Sequence, residues 1–538
     1  MLGAMPPFLR FDTPLRPLDW AVIGFYFLVL IGTGVIINRR KQATTDDYFR
    51  GGGRIPAWAA AVSLVATSMS AASFIGVPQQ GYEGDLTYLS TNIGMLLAAV
   101  VIAFVFVPAF YRARVQTIYQ YLGQRMGPGA GAAASAAFLV GRVFASGARI
   151  YIGAMPASII LFGDLAPPHL LVAIVALSMV GIAYTLVGGV SSVIWSDVIQ
   201  MTILLGACVA AIGVIALRLE AGPAEAMRAL SAGGPDGASK LTLFDFTADP
   251  AAAFSLPAAV LGFTIMGIGS YGTDQDLAQR LLTCKDAKAG ARSMIGGILL
   301  GVPSVLLFLI VGLLLFLFYQ RPDLIAGDPV PVPEDSRQVF LAFIVEQMPP
   351  GLSGLMMAGL FAAGLSSLNS AINAMSSTFL NDFYRPRRPD LSEAELVRIG
   401  RIGVVAWGMV LALFACACIW LERAHAERSG TSTLLTFALT VMTYAYAGLI
   451  GVFLTALLTR RGNTRSVVFA LVAGFVGIAL MQPMLWGLAF DLGAIREAGT
   501  HSGLIAMLDL AFVWKLTIAS GGSFLLCSMG RTPRHGEA

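Results

Sequence analysis

Residues 59–78 read AAAVSLVATSMSAASFIGVP, an apolar run interrupted by Ser63, Thr67, Ser68, Ser70 and Ser73 within eleven positions and then punctuated by Gly76 and Pro78. The run is long enough to cross a hydrocarbon core, which takes about 17 to 25 residues. Hydroxyl side chains at this density have two readings. They let membrane helices approach closely and bond back to their own carbonyls, or they collect oxygen atoms for a hard cation. One such cluster favours the first reading. A second occurs in Ala363-Gly364-Leu365-Ser366-Ser367-Leu368-Asn369-Ser370, followed by Asn373, Ser376 and Ser377. Two clusters near mid-membrane favour the second. Hydroxyls beside carbonyls freed by an interrupted helix supply sodium ligands without a formal charge.

Composition agrees that lipid is the main solvent. Of 538 residues, 57% are hydrophobic and 12% charged, about half the charge of a soluble domain, and the mean hydropathy is +0.76. A water-exposed globule of this composition would be covered in apolar surface. The five cysteines show no pattern, and the four histidines fall in loops, tails or at a segment edge, so neither a zinc site nor a histidine relay is indicated. No basic tract points to nucleic acid, and no nucleophile, metal cluster or cofactor motif points to an enzyme.

Thirteen apolar segments are expected to span the membrane, at about 18–38, 57–80, 88–110, 129–162, 169–188, 192–218, 254–281, 290–319, 350–381, 396–421, 431–459, 465–487 and 508–528. Most of the 35 Lys and Arg residues fall on one side if the N-terminus is outside, including Arg39-Arg40-Lys41, Arg385/Arg387/Arg388 and Arg460-Arg461. Positive residues mark the cytoplasmic side, so the expected orientation is N-terminus out and C-terminus in, in the cell membrane.

Five stretches, three of them new, carry a resemblance. Asp46–Trp58 (DDYFRGGGRIPAW), the SLVATSMSAASFIGVP stretch, Tyr184–Gln200 (YTLVGGVSSVIWSDVIQ), Tyr271–Lys285 (YGTDQDLAQRLLTCK) and the Ser-Ser pair of the ninth segment occur in this order. Together they resemble the sodium:solute symporters, relatives of the sodium–glucose, iodide, monocarboxylate, proline and sialic acid carriers. The resemblance implies an all-α polytopic membrane protein with an inverted five-helix repeat (LeuT-like) core. Residues 57–218 would form the first repeat and 254–459 the second, joined by the extracytoplasmic loop 219–253. Residues 1–56 would hold the first helix and a cytoplasmic loop, and 460–538 two peripheral helices and a short tail. The first helix of each repeat would be broken at the substrate site, and Gly267-Ile268-Gly269-Ser270 in the seventh segment matches that expectation.

The resemblance also implies site residues. The principal sodium site would take the carbonyls of Ala66, Met69 and Ala363 and the hydroxyls of Ser366 and Ser367. Some sialic acid carriers use a second sodium, which here would involve Asp197, Asn369 and Ser370; Asp197 paired with a loop arginine is an equal alternative. Ser68, Ser70, Ser73, Asn92 and Tyr271 match positions that face the solute in relatives. Gly267 and the side chains at Ser73 and Asn92 depart from the sugar carriers, while the serine run and the Gly-Val-Pro resemble branches that carry anions.

Arg142 and Arg149 are the arginines well inside a segment. Seven residues apart, they share a helix face, and an intramembrane arginine is expensive enough to be a functional candidate. Arg149 is the candidate clamp for a solute carboxylate; snorkelling or pairing with an acid is the competing structural role. The expected function is sodium-coupled import of a small polar organic solute, a carboxylate of sialic acid or monocarboxylate type, by alternating access. A sugar, polyol or amino-acid symporter is the alternative, followed by a proton-coupled carrier or a channel. Sodium is the coupling ion, no other cofactor is expected, and the expected partners are the solute and the bilayer, with no obligate protein partner.

Overall fold

The computed structural model describes residues 15–38, 44–234, 237–333, 335–429, 434–482 and 510–531. The Arg39-Arg40-Lys41 cluster, His501 and His535 lie outside the described residues. Among the described residues the chain is helical, apart from one isolated bridge between Leu219 and Ile325. In chain order the helices that matter for the site begin with α1 (Pro17–Asn38), α2 (Ala57–Ser68), α3 (Ala71–Glu83) and α4 (Thr87–Ala113). They continue with α5 (Pro128–Phe162), α6 (Pro167–Leu186), α7 (Gly189–Arg218) and α8 (Ala258–Thr273). Next come α9 (Gln275–Leu282), α10 (Ala287–Gln320), α11 (Leu352–Thr378) and α12 (Glu393–Ser429). The last are α13 (Leu434–Leu458), α14 (Thr464–Leu480) and α15 (Phe512–Ser528).

Eight of these, among the described residues, are long and apolar enough to span a bilayer, and α2 with α3 makes a ninth span bent by 67°. The shorter apolar helices α1, α8, α14 and α15 fall on the remaining four expected segments. The two spans that open the expected repeats are the two that break. In the first, Met69 (φ −86°, ψ 95°) and Ser70 (φ −93°, ψ 179°) are extended. In the second, Asp274 is extended (φ −100°, ψ 118°) between α8 and α9.

Neither break falls on the glycines that the sequence offers. Gly76 and Pro78 lie inside α3, which corrects the expectation that they punctuate the helix. Their role is packing: a Cβ at Gly76 would sit 2.8 Å from the Leu435 nitrogen. In the seventh segment the α-helical stretch ends at Gly267 and gives way to a π-helical stretch over Ile268–Thr273. The cluster therefore does mark a departure from α-helix, although the chain becomes extended only at Asp274. Gly267 and Gly269 also admit Ala98 and Tyr446, each within 3 Å of where a Cβ would be. A membrane helix tolerates proline and glycine because its neighbours satisfy the freed backbone groups. A glycine does turn the chain between α6 and α7, where Gly189 (φ 58°, ψ −167°) adopts a conformation that a side chain would strain.

Helix α11 is buried along nearly its whole length. Its N-terminus is held by a residue of α1. Asp19 of α1, 1% exposed, accepts hydrogen bonds from the backbone N–H groups of Gly351 at 2.7 Å and Gly354 at 2.9 Å. A carboxylate there satisfies orphan donors and suits the positive end of the helix dipole.

Candidate substrate and sodium site

The break in the first span creates the site. The last backbone bond of α2 runs from the Met69 N–H to the Val65 carbonyl at 2.8 Å. The extended residues that follow release the next carbonyls, starting with Ala66, from helical pairing. Ala66, Met69 and Ala363 are all buried. On α11, Ser366 donates its hydroxyl to Asp197 Oδ1 at 2.6 Å. Ser367, one residue on, is buried with its hydroxyl lacking any protein partner. An orphaned buried hydroxyl normally marks a missing ligand or water. Oxygen is the donor a hard cation takes, and among the described residues no group of three or more His, Cys, Asp or Glu residues could hold a metal.

Beside this oxygen set lies a cavity of about 120 Å³ between α2, α3, α4, α5, α8, α10 and α13. Ser68, Ser70, Ser73, Asn92, Arg149 and Tyr271 all line it, as does Met69. Apolar walls come from Val65, Met95, Met266, Phe308 and Leu439. The α13 wall is not legible in the sequence, because Leu435, Ala438 and Met442 belong to an unmarked apolar run.

Arg149 is buried in this wall, 7% exposed. Its guanidinium approaches Met442 Sδ at 3.0 Å, and no carboxylate of the described residues forms an ion pair with it. Arg142, two turns away on the same helix, is used differently. It pairs with Asp274 at 2.7 Å and with Asp276. Asp276 also pairs with Arg280 at 3.1 Å, one turn along α9. Arg280 in turn reaches Asp197 at 3.4 Å, the Ser63 hydroxyl at 2.9 Å and Ser370.

Asp197 is thus surrounded by donors. Ser63 and Thr67 from α2 reach Oδ2 at 2.5 and 3.4 Å, alongside Arg280 and opposite Ser366. Of the residues considered for a second sodium, Asp197 and Ser370 share Arg280 as a neighbour, and Ser370 also meets Thr67 at 3.3 Å. The Asn369 amide instead faces α6, where a Cβ at Gly181 would lie 3.0 Å from its Oδ1, and both its polar atoms lack partners. In the sequence Asp274, Asp276 and Arg280 stand within one motif, and Asp274 with Asp197 is a candidate acidic partner for Arg149. The structure pairs Asp274 with Arg142 instead, and the i, i+4 spacing of Asp276 and Arg280 is the signal for their pairing.

Residues 48–477 match the model of the sodium:solute symporter family. The chain belongs to that family. It is 28% identical to the sodium/sialic acid symporter SiaT of Proteus mirabilis over 86% of this chain and 88% of that one. Human sodium-coupled monocarboxylate transporter 1 is likewise 28% identical, over 95% and 80%, and the human sodium/iodide cotransporter 28% over 85% and 68%. A Na+-coupled sialic acid symporter in a substrate-bound outward-open state matches the fold with a TM-score of 0.75 and 26% identity, covering 96% of this chain and 97% of that structure. A nucleobase-cation-symport-1 family transporter shares the fold alone, at TM-score 0.56 and 14% identity. This symporter is therefore a sodium-coupled, multi-pass carrier of a small solute in the cell membrane, with the inverted-repeat architecture, and not an enzyme.

Proposed function

We propose that the chain imports a small organic carboxylate together with sodium by alternating access, with the N-terminus outside and the C-terminus in the cytoplasm. The observation that carries the reading is Arg149: a buried guanidinium on the wall of the central cavity that forms no ion pair with any carboxylate among the described residues. An unpaired intramembrane arginine costs about 2.5 kcal/mol or more. A solute carboxylate offsets that cost in a planar two-bond contact. Arg142 does not take this role, since Asp274 and Asp276 occupy it.

Ser68, Ser70, Ser73, Asn92 and Tyr271 surround the remainder of the solute with hydroxyl and amide groups. Sodium is held by the carbonyls of Ala66, Met69 and Ala363 and the hydroxyls of Ser366 and Ser367, the last with its oxygen otherwise unused. The sialic acid and monocarboxylate substrates named for the similar proteins are both carboxylates, which fits the cation in the cavity. The test is a thermal-shift and uptake screen of purified protein against sialic acids, monocarboxylates, sugars and amino acids, with and without sodium. Stabilisation and uptake confined to carboxylates support the reading. A neutral sugar or polyol as the best substrate overturns it.

A further inference from the structure

The buried charges around the two ligand positions fall into two groups of opposite sign. Asp197, Asp274 and Asp276 are bridged by Arg142 and Arg280 into one continuous cluster. All five side chains are at most 2% exposed. Three carboxylates against two guanidinium groups leave this cluster with a net charge of −1. Arg149 stands outside it with a charge of +1. Helix α13 connects the two: Met442 meets Arg149, and Tyr446, one turn on, donates to Asp274 at 3.1 Å. At the other end of the cluster, Ser366 of the sodium position donates to Asp197 at 2.6 Å.

We infer that this divided charge set is what couples the two ligands: sodium neutralises the negative cluster, the solute carboxylate neutralises Arg149, and each event strengthens the other. The inference rests on the carboxylate reading above. In the empty protein, Arg149 and the cluster attract one another and partly compensate. Sodium beside Asp197 cancels the cluster, so Arg149 loses its counter-charge and binds an anion more tightly. A carboxylate on Arg149 likewise leaves the cluster uncompensated and raises its affinity for a cation. The coupling is reciprocal by linkage. Arg142 brings the cluster onto Arg149's own helix seven residues away, about 10 Å along the axis. That is the scale of separation between Arg149 and the near edge of the cluster, whose negative charge sits on the carboxylates that Arg142 bridges. At an effective dielectric of about 20, unit charges that far apart change an affinity by roughly tenfold.

The experiment uses purified full-length protein, with pyruvate and N-acetylneuraminate as carboxylate probes and choline replacing sodium. Carboxylate affinity and sodium affinity are each measured with and without the other ligand. In the natural protein, sodium should raise carboxylate affinity roughly tenfold. Asp276→Asn makes the cluster neutral, so carboxylate affinity in choline should rise and the sodium enhancement should fall below about threefold. Asp274→Asn serves the same purpose if the first variant does not fold. Arg149→Met removes the isolated positive charge, so sodium should bind roughly tenfold more tightly with no carboxylate present. An undiminished sodium enhancement in a folded Asp→Asn variant overturns the inference, as does unchanged sodium affinity in Arg149→Met. If neither probe binds the natural protein, the carboxylate reading fails by itself, while the sodium affinity of Arg149→Met still decides the electrostatic step.

Discussion

Ser366 and Ser367 are neighbours on α11 with different attachments: the first donates to Asp197 Oδ1 at 2.6 Å, and the second has no protein partner for its buried hydroxyl. Ser367 is accordingly the residue whose loss should be felt through the ion alone. Ser367→Ala should raise the sodium concentration for half-maximal uptake by about tenfold, since an oxygen lost from a dry site costs about 1 to 3 kcal/mol. Folding should be unaffected. Sodium titrations of uptake in proteoliposomes check this; unchanged sodium dependence in the Ser366→Ala/Ser367→Ala double variant would remove the hydroxyls from the sodium site.

Arg149→Lys should weaken carboxylate transport by roughly tenfold, about 1.4 kcal/mol, because an ammonium cannot reproduce the planar two-bond contact of guanidinium. Concentration-dependent uptake of the best carboxylate from the screen provides the measurement. Normal transport would make Arg149 a structural residue.

The two arginines of α5 should separate on stability. Arg142→Met leaves Asp274 and Asp276 short of a buried counter-charge, which should cost about 3 to 5 kcal/mol. Arg149→Met breaks no direct ion pair among the described residues, and removing a desolvated charge offsets the loss of its longer-range attraction to the carboxylate cluster. The melting temperature in detergent should therefore change much less than in Arg142→Met. Equal destabilisation by both substitutions would contradict the contrast in their partners.

Orientation can be read with cysteine labels at two exposed loop positions, Asp323 and Asp390. An impermeant maleimide should react with Asp323→Cys in intact cells, and with Asp390→Cys only after permeabilisation. Of the five natural cysteines, Cys208, Cys284, Cys418 and Cys527 are buried and Cys416 is half-buried, so a Cys416→Ser background keeps unwanted labelling low. The opposite pattern would invert the map.

How much of this was legible in the sequence differs by kind of feature. Segment number and the polar clusters were plain, because a bilayer demands long apolar runs and makes each hydroxyl conspicuous. The cavity-lining serines, Asn92 and Tyr271 came from family resemblance, and the structure gathers them on one cavity. The positions of the breaks are less legible. Gly76 and Pro78 serve close packing inside α3 and the first span breaks at Met69–Ser70, whereas in the second the α-helix becomes π-helical just after Gly267 and the chain is extended at Asp274. An aspartate at a helix N-cap is a local signal, but the residue that fixes it from another helix is not. At Asp274 the side chain caps α9 by accepting from the Asp276 N–H at 3.0 Å, and Arg142 fixes it from another helix. Likewise, that Asp197 would meet Arg280 rather than a loop arginine depends on 83 residues of intervening chain folding back, which no local pattern records.

The cap that Asp19 places on α11 bears on how the protein is made. Its acceptor and donors are 332 and 335 residues apart. Synthesis proceeds from the N-terminus at about 5 to 20 residues per second, so α1 is in place some tens of seconds before α11 emerges. During that interval the carboxylate of Asp19 has no amide partners from α11, and water at the membrane surface must serve it. When α11 arrives, its first turn finds a fixed anion already waiting. The same two hydrogen bonds tie the depth of α11 in the folded protein to that of α1, so a vertical shift of either helix must carry the other or break the cap.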